Sequence, residues 1–155
     1  MKKFGVLFLV LLINCYSLMV ESSMSDVQGI VSLSITNVKE TPASDYASPM
    51  CLLELTAVNN TNVSFMQFGV SARLRGQDRG ERVTAAIFQD LKMGRTATGS
   101  LGALGVECSL IADVAFARVD PCVILDGMSP KPLFGCDRLV RLDPGKMALV
   151  QGDAY

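Results

Sequence analysis

The chain has 155 residues, a formal net charge of −1 and neither histidine nor tryptophan. A nearly neutral chain has no field strong enough to recruit nucleic acid or an anionic membrane, so we expect no nucleic-acid partner. The lack of histidine excludes Ser-His-Asp and Cys-His catalysis and removes the commonest zinc and copper ligand. We therefore expect a non-enzymatic protein that has no metal and no other cofactor.

Residues 1–23 have the three parts of a secretory signal: a positively charged start, an apolar run over 4–13, and acceptable cleavage residues over 20–22. The apolar run is about half the roughly 20 residues that a membrane-spanning helix needs. We therefore expect cleavage, no membrane span in the mature chain, and a periplasmic or secreted protein. Residues 24–155 then form a single domain.

A lipid anchor is the alternative to simple cleavage. Leu12-Ile13-Asn14-Cys15 resembles a bacterial lipobox, in which the cysteine becomes lipid-modified. Asn14 departs from that pattern, which takes a small residue at this position. If the lipobox is functional, Cys15 is the anchor and the residues after it are a tether.

The chain after the signal alternates apolar and polar residues with period two, which predicts strands buried on one face. A strand is also weakly indicated over 96–98, and short strands over 122–125, 139–142 and 147–150. In chain order, the clearest apolar faces are Val31, Leu33 and Ile35; Cys51, Leu53, Leu55 and Ala57; Met66, Phe68, Val70, Ala72 and Leu74; Val83, Ala85 and Ile87; and Val106, Cys108, Leu110, Ala112, Val114 and Phe116.

Turn signals separate these segments about every 8–14 residues, with no convincing helix. Residues 86–93 fit a strand followed by a turn as well as they fit a short helix, and Pro121 is expected to end the longest strand.

The Asn-rich stretch 59–64 contains two N-glycosylation patterns, although turn chemistry is the favoured interpretation. The predicted fold is all-β, an immunoglobulin/fibronectin type III-like antiparallel β-sandwich of seven to eight strands, with a small barrel as the alternative.

Four cysteines follow the signal, Cys51, Cys108, Cys122 and Cys136, and an even number in a small exported domain predicts two disulfides. No closely spaced CxxC pair is present, which disfavours a zinc site or a redox site. Period two places Cys51 and Cys108 on inward strand faces, where they can meet across a core. Of the three possible connectivities, this favours Cys51–Cys108 with Cys122–Cys136.

A family resemblance extends over about two thirds of the chain, from residue 51 onward. It is carried by the segments 51–61 (CLLELTAVNNT), 91–96 (LKMGRT) and 108–114 (CSLIADV), and by the last two cysteines flanking Asp126-Gly127. These resemble small exported bacterial proteins with an immunoglobulin-like domain, a largely uncharacterised group. The resemblance implies a sandwich and periplasmic export, and it implies no activity.

Two sets of residues are candidates for partner contacts. Met128, Leu133 and Phe134 lie in the loop that the last two cysteines close; they either form an apolar patch for a partner or cap the end of the sandwich. The other set lies in the hairpin around residue 78, where an arginine cluster could bind an acidic partner, although a solvated hairpin tip is the favoured interpretation. Its members are Arg73, Arg75, Arg79 and Arg82.

The leading functional hypothesis is an exported module that binds another protein in the cell envelope or outside the cell, because sandwich loops and edge strands are suited to recognition. The second is a structural or accessory subunit packed in a larger envelope complex. A hydrolase based on carboxylates is the third and least favoured hypothesis. Partner identity and oligomeric state are left open by the sequence.

Overall fold

A computed structural model describes residues 26–77 and 80–152. The predicted signal over 1–23, Cys15 and Arg79 lie outside the described residues. The described part contains nine strands: β1 (Gly29–Thr41), β2 (Met50–Thr61), β3 (Phe65–Gly76), β4 (Glu81–Leu91), β5 (Thr96–Leu104), β6 (Ile111–Asp126), β7 (Ser129–Pro132), β8 (Val140–Leu142) and β9 (Leu149–Gln151).

The strands form two sheets. One has the order β5-β2-β1-β8, and the other has the order β4-β3-β6-β7, with β9 also paired to β6. Neighbouring strands are antiparallel except for β1–β8 and β6–β9. The predicted all-β sandwich is therefore confirmed, with nine strands rather than seven to eight. The immunoglobulin/fibronectin type III placement stays a prediction.

The core is a single apolar cluster between the inner faces of the two sheets. The predicted apolar faces of β1 and β2 are fully buried, as period two requires for strands with one face against a core. The rings of Phe65 and Phe68 lie edge to face, with centroids 4.9 Å apart. The largest fully buried side chains also include Phe88, Phe116, Leu33, Ile35, Leu53 and Leu55.

The predicted strand over 106–116 is only partly correct. Cys108–Leu110 form a 3-10 turn, and β6 begins at Ile111. The turn shifts the inward face by one residue, so Ile111 is buried whereas Leu110 and Ala112 are exposed, and a register irregularity between Ile111 and Asp113 shifts it back. From Val114 onward the predicted inward face is correct. The apolar alternation continues through residues 106–110, which are not in a strand, and this is why it predicts too early a start for β6.

Two further expectations about strands were wrong. Val83, Ala85 and Ile87 are exposed, because β4 is apolar on both faces and its core side is formed by Ala86 and Phe88. Nor does Pro121 end a strand, because β6 continues to Asp126 through a register irregularity opposite β3.

The segment 86–93 is a strand followed by a turn, with no helix. β7 lies where the sequence predicted only a loop. It is short and contains two prolines, so its own residues give little sign of a strand.

Asn59 ties the β2–β3 turn to the end of β4. Its side chain is 0 % exposed. Nδ2 donates to the carbonyl oxygens of Val63 (2.9 Å) and Leu91 (3.0 Å). Oδ1 accepts from the backbone N–H (3.0 Å) and the hydroxyl (2.7 Å) of Thr61. The first glycosylation pattern is therefore turn chemistry, because the amide of Asn59 is buried and fully hydrogen-bonded.

An ion pair supports β8 beside β1. Arg141 Nε donates to Asp143 Oδ1 at 2.7 Å, and Nη2 donates to Asp143 Oδ2 at 3.2 Å and to the Ser32 hydroxyl at 2.9 Å. This paired hydrogen bonding lowers the pKa of Asp143 below its ordinary value and raises the pKa of Arg141 above its own. The pair joins the edge of the first sheet to the turn after β8.

Candidate binding surfaces

Two disulfides cross-link the sandwich. Cys51 is joined to Cys108 with a Cα–Cα distance of 4.9 Å, and Cys122 to Cys136 with 6.5 Å. This is the pairing that the sequence analysis favoured, although Cys108 reaches its partner from a 3-10 turn rather than from a strand. Two structural disulfides in a small domain are consistent with an exported protein.

The second disulfide closes a segment, 122–136, that we call the disulfide loop. It consists of the end of β6, the two-residue turn Gly127-Met128, β7, and a return to Cys136. Lys131 Nζ lies 3.1 Å from Asp126 Oδ2, across the hairpin. Leu133 N–H donates to the carbonyl of Cys122 at 2.9 Å, which extends the pairing past β7. The loop is therefore held along its length as well as at its ends.

The structure separates the three apolar residues predicted in this loop. Leu133 is 7 % exposed and packs in the core, so its side chain caps the sandwich. Phe134 is 79 % exposed and Met128 is 99 % exposed. Leu125, which the sequence analysis did not select, is also exposed, on the strand next to the turn. The Asp-Gly pair at this turn is a hairpin signal that could have pointed to it.

A shallow cleft of about 390 Å³ lies at the base of the disulfide loop. Phe134, Pro132 and Leu133 line one part of it, and residues 118–123 of β6 line another. Arg118 and Asp120 form an ion pair of 3.6 Å in that stretch. An exposed aromatic ring beside a cleft lined by both apolar and charged residues is an arrangement that suits a partner's side chain.

The predicted arginine cluster is split between two faces. Arg73 and Arg75 are half-buried on the outer face of the second sheet, where Glu81 lies 4.0 Å from Arg73 and 3.7 Å from Arg75. Asp113 lies 3.8 Å from Arg75. The charge of these two arginines is thus compensated by neighbouring carboxylates. Such pairs stabilise the sheet modestly and leave little net field for an acidic partner.

Arg82 is exposed and lines a second cleft, of about 310 Å³. This cleft lies between the end of β3, the start of β4, the end of β5 and the turn that carries Cys108. Its lining is mostly apolar, including Leu74, Val106 and Leu110. Arg82 therefore does not share a surface with Arg73 and Arg75. The sequence did not reveal this, because β4 is apolar on both faces and its inward residues could not be assigned from the alternation alone.

Within residues 26–77 and 80–152, no group of three or more histidine, cysteine, aspartate or glutamate side chains is placed to hold a metal ion. No helix in the described part of the chain is long and apolar enough to cross a membrane.

Comparison with known proteins gives little further information. No family model and no curated protein matches this chain. A solved structure of IrmA from Escherichia coli is similar over 76 % of this chain and 92 % of that one, with 16 % sequence identity and a TM-score of 0.45. Similarity of this degree does not place the chain in a family.

Proposed function

We propose that this protein is a non-enzymatic exported module that binds another protein in the cell envelope or outside the cell, and that the disulfide loop makes the main contact. The observation that carries this proposal is the exposure of Phe134, a large aromatic side chain, between two residues whose positions are fixed. Leu133 before it is buried in the core, and Cys136 shortly after it is disulfide-bonded.

A rigid exposed aromatic residue is well suited to binding. Association costs free energy for every side chain and loop that must be ordered, so a segment that is already ordered loses less on binding. Aromatic side chains are also enriched among the few residues that dominate interface energetics. Met128 and Leu125 extend the apolar surface along the same hairpin, and the 390 Å³ cleft gives a partner's side chain a place to insert.

The proposal is tested by affinity capture from native envelope and extracellular fractions, with the tag at the C-terminus and quantification by mass spectrometry. The variant Phe134→Ala should lose most of a specific partner, and Met128→Ala should lose part of it. Tyr46→Ala is the matched control, because Tyr46 is a fully exposed aromatic residue in the β1–β2 loop, outside the disulfide loop.

Equal recovery of every captured protein by wild type and by Phe134→Ala would contradict the role of the loop. A partner that co-purifies in equimolar amount and resists a salt wash would favour the accessory-subunit hypothesis over a free recognition module.

A further inference from the structure

The edge strand β4 has apolar side chains on its outer face that no other element of the described structure covers. Among these residues β4 pairs only with β3. Its central segment, 83–88 (VTAAIF), contains no charge, no proline and no glycine. On its outer face, Val83 is 77 % exposed and Ile87 is 52 % exposed. Edge strands in monomeric proteins usually carry a charge, a proline or a bulge that prevents pairing, and in β4 the charged residues, Glu81, Arg82 and Asp90, are confined to the two ends of the strand.

The backbone of β4 is oriented for pairing. Gly76 N–H donates to the carbonyl of Gly80 at 2.7 Å, which fixes the even-numbered residues of β4 as those that bond to β3. The N–H and C=O groups of Val83, Ala85 and Ile87 therefore point to the free edge of the sheet. β5 is the edge strand of the other sheet on the same side of the sandwich. Its Gly102 N–H donates to the Thr84 hydroxyl at 3.1 Å, so this group of β5 already has a partner within the chain.

We propose that β4 pairs antiparallel with β4 of a second copy of this chain, about a two-fold axis at Ala85. In this register Val83 lies opposite Ile87 of the second copy, Ala85 lies opposite its own equivalent, and Ile87 lies opposite Val83. Each of these pairs exchanges both of its backbone N–H···O bonds, because all three residues face the free edge. The β4-containing sheets of the two copies then form one continuous sheet.

Self-complementarity identifies the occupant as a second copy rather than an unrelated strand. The register sets two β-branched side chains opposite each other at Val83 and Ile87, which is a favourable cross-strand pair. Glu81 lies opposite Gln89, so no like charges face each other. Arg82 lies diagonal to Asp90 of the second copy, within reach of a long side chain. The two-fold arrangement is closed, so it forms a dimer and does not propagate.

The dimer would leave the disulfide loop uncovered, because β4 and β7 are at opposite edges of the same sheet. The inference therefore does not depend on the proposed function.

The test is sedimentation equilibrium of the mature, disulfide-bonded protein from micromolar to millimolar concentration. Wild type should approach about twice the monomer mass as concentration rises. Val83→Lys should stay monomeric, because it replaces the exposed apolar partner of Ile87 in both cross-strand pairs by a charged side chain. Leu104→Lys, at an apolar position on β5 that is similarly exposed, is the matched control and should still dimerise.

Ala85→Pro provides a second, independent variant. It removes an N–H that faces the free edge, so it costs no bond to β3 but blocks pairing with a second copy. In wild type, the amides of Val83, Ala85 and Ile87 should become more protected from hydrogen exchange as concentration rises. A wild type that is monomeric at millimolar concentration would overturn the proposal, and so would a dimer that persists in folded Val83→Lys.

Discussion

The side-chain amide of Asn59 donates a hydrogen bond of 3.0 Å to the carbonyl oxygen of Leu91, and thereby joins the end of β2 to the end of β4. The two strands belong to different sheets. Two backbone bonds reinforce the junction: Asn59 N–H donates to Arg95 O at 2.9 Å, and Gly94 N–H donates to Asn59 O at 2.8 Å. One buried polar residue therefore sets the relation between two turns at this end of the sandwich.

Replacing Asn59 by alanine should lower the free energy of unfolding by about 3 kcal/mol or more, because it leaves buried carbonyl and N–H groups without partners. Urea unfolding followed by circular dichroism measures this directly. Asn60→Ala is the matched control: Asn60 is the exposed neighbour, and its loss should change the free energy by less than about 0.5 kcal/mol. Similar effects from both variants would mean that the Asn59 hydrogen bonds are not a major source of stability.

The two disulfides should differ in their contributions. By loop entropy, Cys51→Ala/Cys108→Ala, which opens a separation of 57 residues, should cost about 4 kcal/mol. Cys122→Ala/Cys136→Ala, which opens a separation of 14 residues, should cost about 3 kcal/mol. Denaturant unfolding of each double variant at fixed pH gives both values. A clearly larger loss from the shorter loop would show that packing around Cys122 and Cys136 outweighs chain entropy.

The second double variant also tests the proposed function. Without its cross-link the disulfide loop loses one of its constraints, so partner recovery should fall even where the domain remains folded. The Cys51→Ala/Cys108→Ala variant is the control, because that bond lies outside the disulfide loop. If partner recovery falls in proportion to the stability lost in both variants, and not specifically when the disulfide loop is opened, the loop is not the main contact.

The sequence predicted the fold class because β1 and β2 each have one polar and one apolar face. Leu33 and Leu53 could be assigned to the core from period two alone, since a strand with one buried face must alternate. The cysteine pairing followed from an even count and from the period-two alternation that placed Cys51 and Cys108 on inward faces. The pairing was correct although Cys108 lies in a 3-10 turn and not in a strand, because a disulfide requires only that the two residues meet in space.

The remaining features depend on tertiary structure. β4 is apolar on both faces, so its alternation could not show that Val83 is exposed and Phe88 buried. β7 has weak strand propensity and forms by pairing with β6. Leu133 and Phe134 are adjacent apolar residues in a turn-rich segment, and only the packing of the chain places one in the core and the other at the surface.

The contrast between Leu133 and Phe134 gives a test that separates stability from binding. Leu133→Ala removes a buried side chain and should cost about 2 to 4 kcal/mol of stability. Phe134→Ala removes a larger but exposed side chain and should change stability by less than about 0.5 kcal/mol. Thermal unfolding measures both changes in stability. In partner capture the order should reverse, because Phe134→Ala should lose more of the partner than folded Leu133→Ala does. A marked destabilisation by Phe134→Ala would indicate that its ring packs against the domain.

The Arg141–Asp143 pair predicts how stability responds to acid. The pKa of Asp143 is lowered in the folded protein, chiefly by the side-chain hydrogen bond from Arg141, so the folded state binds this proton less readily than the unfolded state does. The resulting stabilisation is present above the unfolded pKa, near 4, and is lost as pH falls through the folded pKa. Asp143→Asn should therefore be slightly less stable than wild type at pH 7 and should lose less stability between about pH 5 and pH 2.

Asp45→Asn is the control for this comparison, because Asp45 is exposed in the β1–β2 loop and is in neither the ion pair nor the core. The pair is exposed to solvent, so about 0.5 M salt should narrow the difference between wild type and Asp143→Asn at pH 7. If the wild-type and Asp143→Asn stability profiles are parallel from pH 5 to pH 2, the ion pair does not contribute to acid sensitivity. In that case β8 is held to β1 by backbone bonds, such as the 2.8 Å bond from Asp143 N–H to the carbonyl of Leu33.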